Sequence, residues 1–265
     1  HYPLRRQRQM CIRDRHRSVE KLHRESDYLG DPEFFGTSVA ILVGDLALVY
    51  AEDMFQDSGL SAAALRRARS PWRGMRTEVI GGQLLDISLE AAGSESVELA
   101  NSVNRYKTAA YTIERPLHLG AAIAGASEDL IAAFRGYGHD IGIAYQLRDD
   151  QLGVFGDPEI TGKPAGDDLR EGKRTELLAL ALQRADESDP QAAATLRKFI
   201  GQTSDPQELD RMAQIIADSG APQEIERRIE SLTQSGLEHL RAAQVDPAVT
   251  ETLERLAVKA TARHK

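Results

Sequence analysis

Asp149 and Asp150 stand side by side in a run that begins as a helix and opens into a glycine-rich loop: GIAYQLRDDQLGVFGDPEITGKPAGDDLREGKRT, Gly142 to Thr175. Two adjacent carboxylates near a helix C-terminus are opposed by the helix dipole and by each other. A hard divalent cation with oxygen ligands, Mg²⁺ by preference, offsets both. The loop then supplies Lys163, Lys173 and Arg174 among Gly153, Gly156, Gly162, Gly166 and Gly172. Cations on such a loop beside a metal-binding carboxylate pair describe a site for a phosphorylated ligand. The plain alternative is a solvated acidic pair at a frayed helix end, followed by a charged surface loop.

The preceding helix must position these groups. Leu130, Ile131, Phe134, Tyr137, Ile141 and Tyr145 recur at helical spacing and mark a buried stripe. Beside it run Gly138, Gly142, Gln146 and Asp149, within an arc of about 80° at 100° per residue. Glycines leading to an amide and a carboxylate suggest a cavity wall with a charged rim.

The motifs YQLRDDQLGVFGD, GKPAGDDL and EGKRT are similar to the second aspartate-rich region of trans-isoprenyl diphosphate synthases, which reads FQxxDDxxD, GKxxGxD and EGKxT. The form with LGVFGD resembles the bacterial geranylgeranyl type. Gly153 departs from the pattern, standing where the third aspartate belongs, and Asp157 lies four residues on. The resemblance implies an all-α, single-domain, isoprenoid-synthase-type helical bundle around a central cavity. It further implies a metal site at Asp149 and Asp150, and diphosphate contacts from Lys107, Thr108, Gln146, Lys163 and Lys173. Lys107-Thr108-Ala109 matches the family's KTA motif, and Gln83 with Asp86 its GQxxD. The substrates implied are an allylic diphosphate and isopentenyl diphosphate, with Mg²⁺ as cofactor and homodimerisation. On the residues alone, Gln83 and Asp86 fit equally a cavity face or a buried hydrogen-bond network between helices.

Composition agrees with an all-α enzyme. The 265 residues are 41% hydrophobic with few alternating patterns, and the net charge of −8 argues against nucleic-acid binding. The single Cys11 excludes an internal disulfide and suits a reducing, cytoplasmic compartment. The longest apolar stretch, Val39 to Ala51, contains Asp45 and reads as too short to span a bilayer. A helix over 34–55 is apolar all round, which predicts a core or interface position. Asp45 within it is then a paired core aspartate or part of a Gly-Asp pattern near the cavity. His16 and His23 read as surface or loop histidines, and His118 as a capping or surface residue.

Residues 1–15, HYPLRRQRQMCIRDR, are dense in arginine without apolar period. MCIRDR resembles a translated transposase adapter, so this segment is set apart as non-native, the alternative being a disordered basic arm. Residues 16–265 then form a polyprenyl-synthase-like helical domain lacking the family's first DDxxD. With half the metal site missing, the chain is expected to be weakly active or inactive. Two other readings stay open: a non-catalytic partner subunit of such a synthase, and a terpene cyclase. Helices are expected at Leu60–Ser70, from Pro71, and from Ser96 to a stop at Pro116. Further helices are expected near 191–201, 206–218, 222–242 and 247–262, each opened by a proline.

Overall fold

The computed structural model describes residues 12–158, 165–243 and 245–262, and no strand occurs among them. Two compact units are distinguished, residues 1–65 and 66–265.

In the first unit, α1 (Ile12–Glu25) packs on α2 (Pro32–Gln56). Asp31 caps α2 by accepting from the Glu33 amide at 3.0 Å, and Pro32 needs no amide partner at that end. Gly36 lets the helices touch, since a Cβ there would lie 2.5 Å from the His16 carbonyl oxygen. His23 is a core residue, 2% exposed, against Tyr28 and Phe35 at ring distances of 5.7 and 4.9 Å. The surface role read from its polar neighbours is therefore corrected.

A second correction concerns α2. Phe34, Ile41, Leu42 and Met54 are exposed, Phe35, Val39 and Phe55 are half-buried, and only Gly36 is buried within it, which overturns the core position but not the interface one. Asp45 is exposed too, not a buried aspartate in need of a partner. The helix is also longer than the stretch singled out by composition. At 25 residues it is long and apolar enough to cross a bilayer by length and composition. Counting only the uninterrupted apolar run overlooked the flanking turns that continue the helix.

The second unit is built around α6 (Glu128–Phe155), 28 residues long and capped by Ser127, whose hydroxyl accepts from the Leu130 amide. Before it come α3 (Ala62–Ala92), α4 (Val97–Val103) and α5 (Arg115–Ala124). After it come α7 (Asp167–Glu171), α8 (Glu176–Ser188), α9 (Pro190–Phe199), α10 (Pro206–Asp218), α11 (Ala221–Ala242) and α12 (Pro247–Thr261). The last four fall close to their expected positions. Asp189, Asp205 and Asp246 cap α9, α10 and α12 by accepting from backbone amides two residues on, with proline at the first helical position. The main core joins Leu147 to Leu177, Leu182, Leu196, Met212, Ile216 and Ile225.

Two prolines do not break the chain as expected. Pro71 lies inside the continuous α3. Pro116 does not stop its helix either, because a π-helical segment, Asn104–Glu114, leads directly into α5. There the Arg115 amide bonds to the Ala110 carbonyl, five residues back. The wider turn separates the proline ring from the preceding carbonyls that an α-helix would press against it.

Candidate active site

The π segment and α6 run in close contact, and this explains the glycines of α6. A Cβ at Gly138 would stand 2.5 Å from Glu114 Cα, and one at Gly142 2.5 Å from Ala109 Cα. These glycines are therefore where two helix backbones meet, not a bare cavity wall. Ala109, at the contact with Gly142, and its neighbour Ala110 are both buried. Gly82 does the same on α3, where a Cβ would stand 2.5 Å from the Lys107 amide nitrogen. Three close approaches thus hold α3, the π segment and α6 together, and the polar residues beyond them converge.

They converge on a cavity of about 190 Å³ lined by Asp86, Asn104, Lys107, Thr108, Gln146, Asp149, Asp150, Asp168, Lys173, Arg174 and Thr175. Of the residues singled out from sequence, Asp86, Lys107, Thr108, Gln146, Asp149, Asp150 and Lys173 are brought together. Gln83 is half-buried on α3 and does not line the cavity. Asp86 is one turn further along α3, so only one member of the pair faces inward. Lys163 lies outside the described residues.

The side chains form two connected sets. In the first, the Thr108 hydroxyl donates to Gln146 Oε1 at 2.7 Å, and Gln146 Nε2 donates to Asp150 Oδ1 at 2.7 Å. In the second, each lysine is held by a carboxylate: Lys107 by Asp86, and Lys173 by Asp168. Asp150 is 4% exposed, and its other oxygen, Oδ2, has no hydrogen-bond partner. Burial raises the Asp150 pKa well above the usual carboxylate range. The charges of Asp168 and Asp149 add to the rise, against the Gln146 hydrogen bond and Lys173. Burial works against the Lys173 ammonium, yet Asp168, Glu171 and Asp150 keep its pKa above the ordinary lysine value. Glu90, one turn beyond Asp86, is pushed up by burial and then by the Asp86 charge.

Sequence reasoning gave no role to Asn104 or Asp168. Asn104 sits one turn before Lys107 and Thr108, is 5% exposed, and its Nδ2 has no partner. Asp168 was visible as the last aspartate of GKPAGDD. Its carboxylate lies over Gly153: a Cβ there would stand 2.0 Å from Asp168 Oδ2. Gly153, the departure from the aspartate pattern, is thus the space in which a carboxylate from another element rests.

The donor set fits a metal that also binds an anionic ligand. Asp149, Asp150 and Asp168 face one cavity, and the unpartnered Asp150 Oδ2 is an acceptor that burial penalises unless a cation or proton meets it. No group of three or more His, Cys, Asp or Glu among the described residues has the geometry to hold an ion alone. Ligand oxygens would have to complete the shell, as is usual for Mg²⁺. Asn104 and Arg174, whose Nδ2 and Nε have no partner, line the same cavity, and their donors suit those oxygens.

The site lies in an all-helical frame, and comparison identifies the family. The Polyprenyl synthetase family model matches residues 17–218, and the chain belongs to that family. The chain is 38% identical over 156 residues to the geranylfarnesyl diphosphate synthase of Aeropyrum pernix, covering 57% of this chain and 48% of that protein. It is also 38% identical over 143 residues to the (2E,6E)-farnesyl diphosphate synthase of Mycobacterium bovis, covering 53% of this chain and 38% of that protein. The chain thus spans about half the length, or less, of these curated relatives. Among solved structures, it is similar to the geranylgeranyl pyrophosphate synthase of Corynebacterium glutamicum, complexed with isoprenyl diphosphate and magnesium. The TM-score is 0.91 and the identity 62%, covering 95% of this chain and 70% of that one. The geranylgeranyl pyrophosphate synthetase of Pyrococcus horikoshii shares the fold at 23% identity and a TM-score of 0.78, covering 96% of this chain and 77% of that one.

Proposed function

We propose that this chain carries the second half of a prenyltransferase site that condenses an allylic diphosphate with isopentenyl diphosphate, of the geranylgeranyl type. The observation that supports it best is that Asp150, Asn104 and Arg174, each with an unpartnered buried polar atom, line one cavity together with Asp149, Lys107 and Lys173. Such a cavity suits a cation and an anion together. The structure from Corynebacterium glutamicum is named for a complex with both kinds of ligand, which agrees with the reading.

The geometry supports the following roles. Asp149 and Asp150 would hold Mg²⁺, which when bound neutralises diphosphate charge as the allylic carbon–oxygen bond ionises. Lys107, Lys173 and Arg174 bring positive charge to the leaving oxygens, with Lys163 a further loop cation by motif. Both described lysines must exchange a carboxylate for the diphosphate, Lys107 leaving Asp86 and Lys173 leaving Asp168. Thr108 and Asn104 orient those oxygens by hydrogen bonds. Gln146 fixes Asp150 on one side while its Oε1 receives Thr108, so the metal and diphosphate halves are linked through one amide.

The expected occurrence is a cytoplasmic homodimer, with the exposed apolar face of α2 as interface. The family match extends across α2, which supports a place in the family fold rather than an added membrane anchor. Residues 1–15 are proposed as non-native; the family match begins at residue 17. The chain alone is expected to be weakly active or inactive.

The test is calorimetric titration of the chain with Mg²⁺ and inorganic diphosphate. Binding is expected, and Asp149→Asn or Lys107→Met should weaken it at least about tenfold. Equal binding by both variants would refute the site. Labelled isopentenyl diphosphate with an allylic co-substrate should give at most traces of longer product, and ordinary turnover would refute the incompleteness.

A further inference from the structure

We propose that Arg148 is a positioning residue for Asp149 and Asp150, and that through it the end of α12 helps to set the direction of these carboxylates. The inference rests on the function proposed above.

Arg148 is 8% exposed, immediately before the acidic pair, and does not line the cavity. Its guanidinium makes three hydrogen bonds to three different elements. Nε donates to the Thr261 carbonyl at the end of α12 at 2.8 Å. Nη1 donates to Gln151 Oε1 on α6 at 2.7 Å, and Nη2 to Glu226 Oε1 on α11 at 2.5 Å. Gln151, also buried, passes the connection on by donating to the Pro222 carbonyl at the start of α11 at 3.0 Å.

These bonds suit the local chemistry. The last carbonyls of a helix lack intrahelical donors, and a cation there also meets the negative end of the dipole. A planar, forked cation spreads its donors over three nitrogens and so reaches the α12 terminus and two side chains at once, whereas an ammonium presents its three donors from one point. The consequence for the site is geometric. Successive residues of an α-helix are about 100° apart, so Asp149 and Asp150 lie about 100° and 200° round from Arg148. Fixing the Arg148 direction therefore fixes theirs. Something must do so, because Asp149 and Asp150 repel each other, as well as Asp168, near a helix end whose dipole opposes them. Only a few residues further on, α6 ends at Phe155. Core packing of Leu147 and Val154 holds this stretch of helix, and the buried bonds of Arg148 add a directional tie behind the carboxylates.

A merely structural role would predict that any loosening of α12 from α6 has the same effect. A second contact makes the distinction testable: the Tyr137 hydroxyl donates to the Leu253 carbonyl of α12 at 2.7 Å, far along α6 from the acidic pair. Mn²⁺ binding to the whole chain, followed by loss of the free-ion resonance, is to be compared for the unaltered chain and for Arg148→Met, Arg148→Lys, Tyr137→Phe and Asp149→Asn. Circular dichroism and thermal melting report folding in parallel. Arg148→Met is expected to weaken Mn²⁺ binding about tenfold or more with helicity retained, as loss of a supporting shell does. Arg148→Lys should recover only part of this. Tyr137→Phe should lower the melting temperature yet leave Mn²⁺ affinity within about twofold.

If Arg148→Met binds Mn²⁺ like the unaltered chain, the inference is overturned while the proposed site stands. If Tyr137→Phe weakens binding as much as Arg148→Met, general loosening explains the effect and the inference is overturned. If the unaltered chain binds no better than Asp149→Asn, the proposed metal site fails and this inference fails with it. Should Arg148→Met not fold, Arg148→Lys against Tyr137→Phe decides by the same criterion.

Discussion

Replacing Gly153 by alanine sets two effects of opposite sign against each other. Inside a helix, Ala is favoured over Gly by about 1 kcal/mol. Gly153 is helical, so on propensity alone the variant should be more stable. The structure says otherwise, because the new methyl would stand 2.0 Å from Asp168 Oδ2 and 2.4 Å from its Cγ. Ordinary contact needs 3.4 Å or more. The carboxylate would have to retreat on the order of 1 Å, and overpacking of this kind costs about 1–3 kcal/mol. Asp168 is buried and held by Lys173, so retreat disturbs that pair as well. The net expectation is a loss of up to about 2 kcal/mol, or a melting temperature lower by several degrees. Gly120, a helical glycine where an added methyl would meet nothing within 4 Å, is the control. There alanine should stabilise by about 0.5–1 kcal/mol. Urea or thermal unfolding of Gly153→Ala and Gly120→Ala, side by side, measures both. Gly153→Asp, which writes in the third aspartate of the family pattern, should be worse than Gly153→Ala and should weaken Mn²⁺ binding. A more stable Gly153→Ala, or tighter metal binding by Gly153→Asp, would refute the placement of Asp168 over Gly153.

Two further outcomes are expected. Gly142→Ala places a methyl 2.5 Å from Ala109 Cα, where backbone must move; a cost of about 1–3 kcal/mol and weaker diphosphate binding through the displaced π segment should appear in melting and titration. His118 has its pKa lowered from 6.5, first by burial and then by Arg135 and Arg115. The folded state then binds fewer protons than the unfolded state just below pH 6.5. Stability is present above that value and falls as pH drops towards the lowered one, and His118→Gln should flatten the slope in urea midpoints taken between pH 7 and about pH 5.5.

That Asp149, Asp150, Gln146, Lys107 and Lys173 would share one cavity was legible because their residue types make little sense without a ligand. The tail helices were legible because Asp-Pro pairs are strong local start signals. What escaped was set by neighbours distant in the chain. A glycine stripe looks the same whether it borders a cavity or another helix, and only Ala109 and Glu114 decide between them. The role of Asp168 depends on its carboxylate crossing over Gly153, a residue well before it in the chain. Pro116 signals a helix stop under α-helical spacing, and the π segment changes that spacing. The burial expected for α2 followed from composition, which cannot tell a covered apolar helix from an uncovered one.

The π segment makes the site depend on residue count as well as on residue identity. Its contacts with Gly138 and Gly142 anchor Glu114 and Ala109, while Lys107 and Thr108 lie just before them. Loss of one residue between Ala110 and Arg115 would let the amides bond four residues back, as in an ordinary helix. Everything before the deletion would then turn by about 100° and shift by about 1.5 Å along the axis. Lys107 and Thr108 would keep their neighbours in the chain but point elsewhere. A survey of substitutions, however complete, leaves the length of the chain untouched and would pass over this constraint; single-residue deletions and insertions across 104–114 would expose it as a phase of the helix.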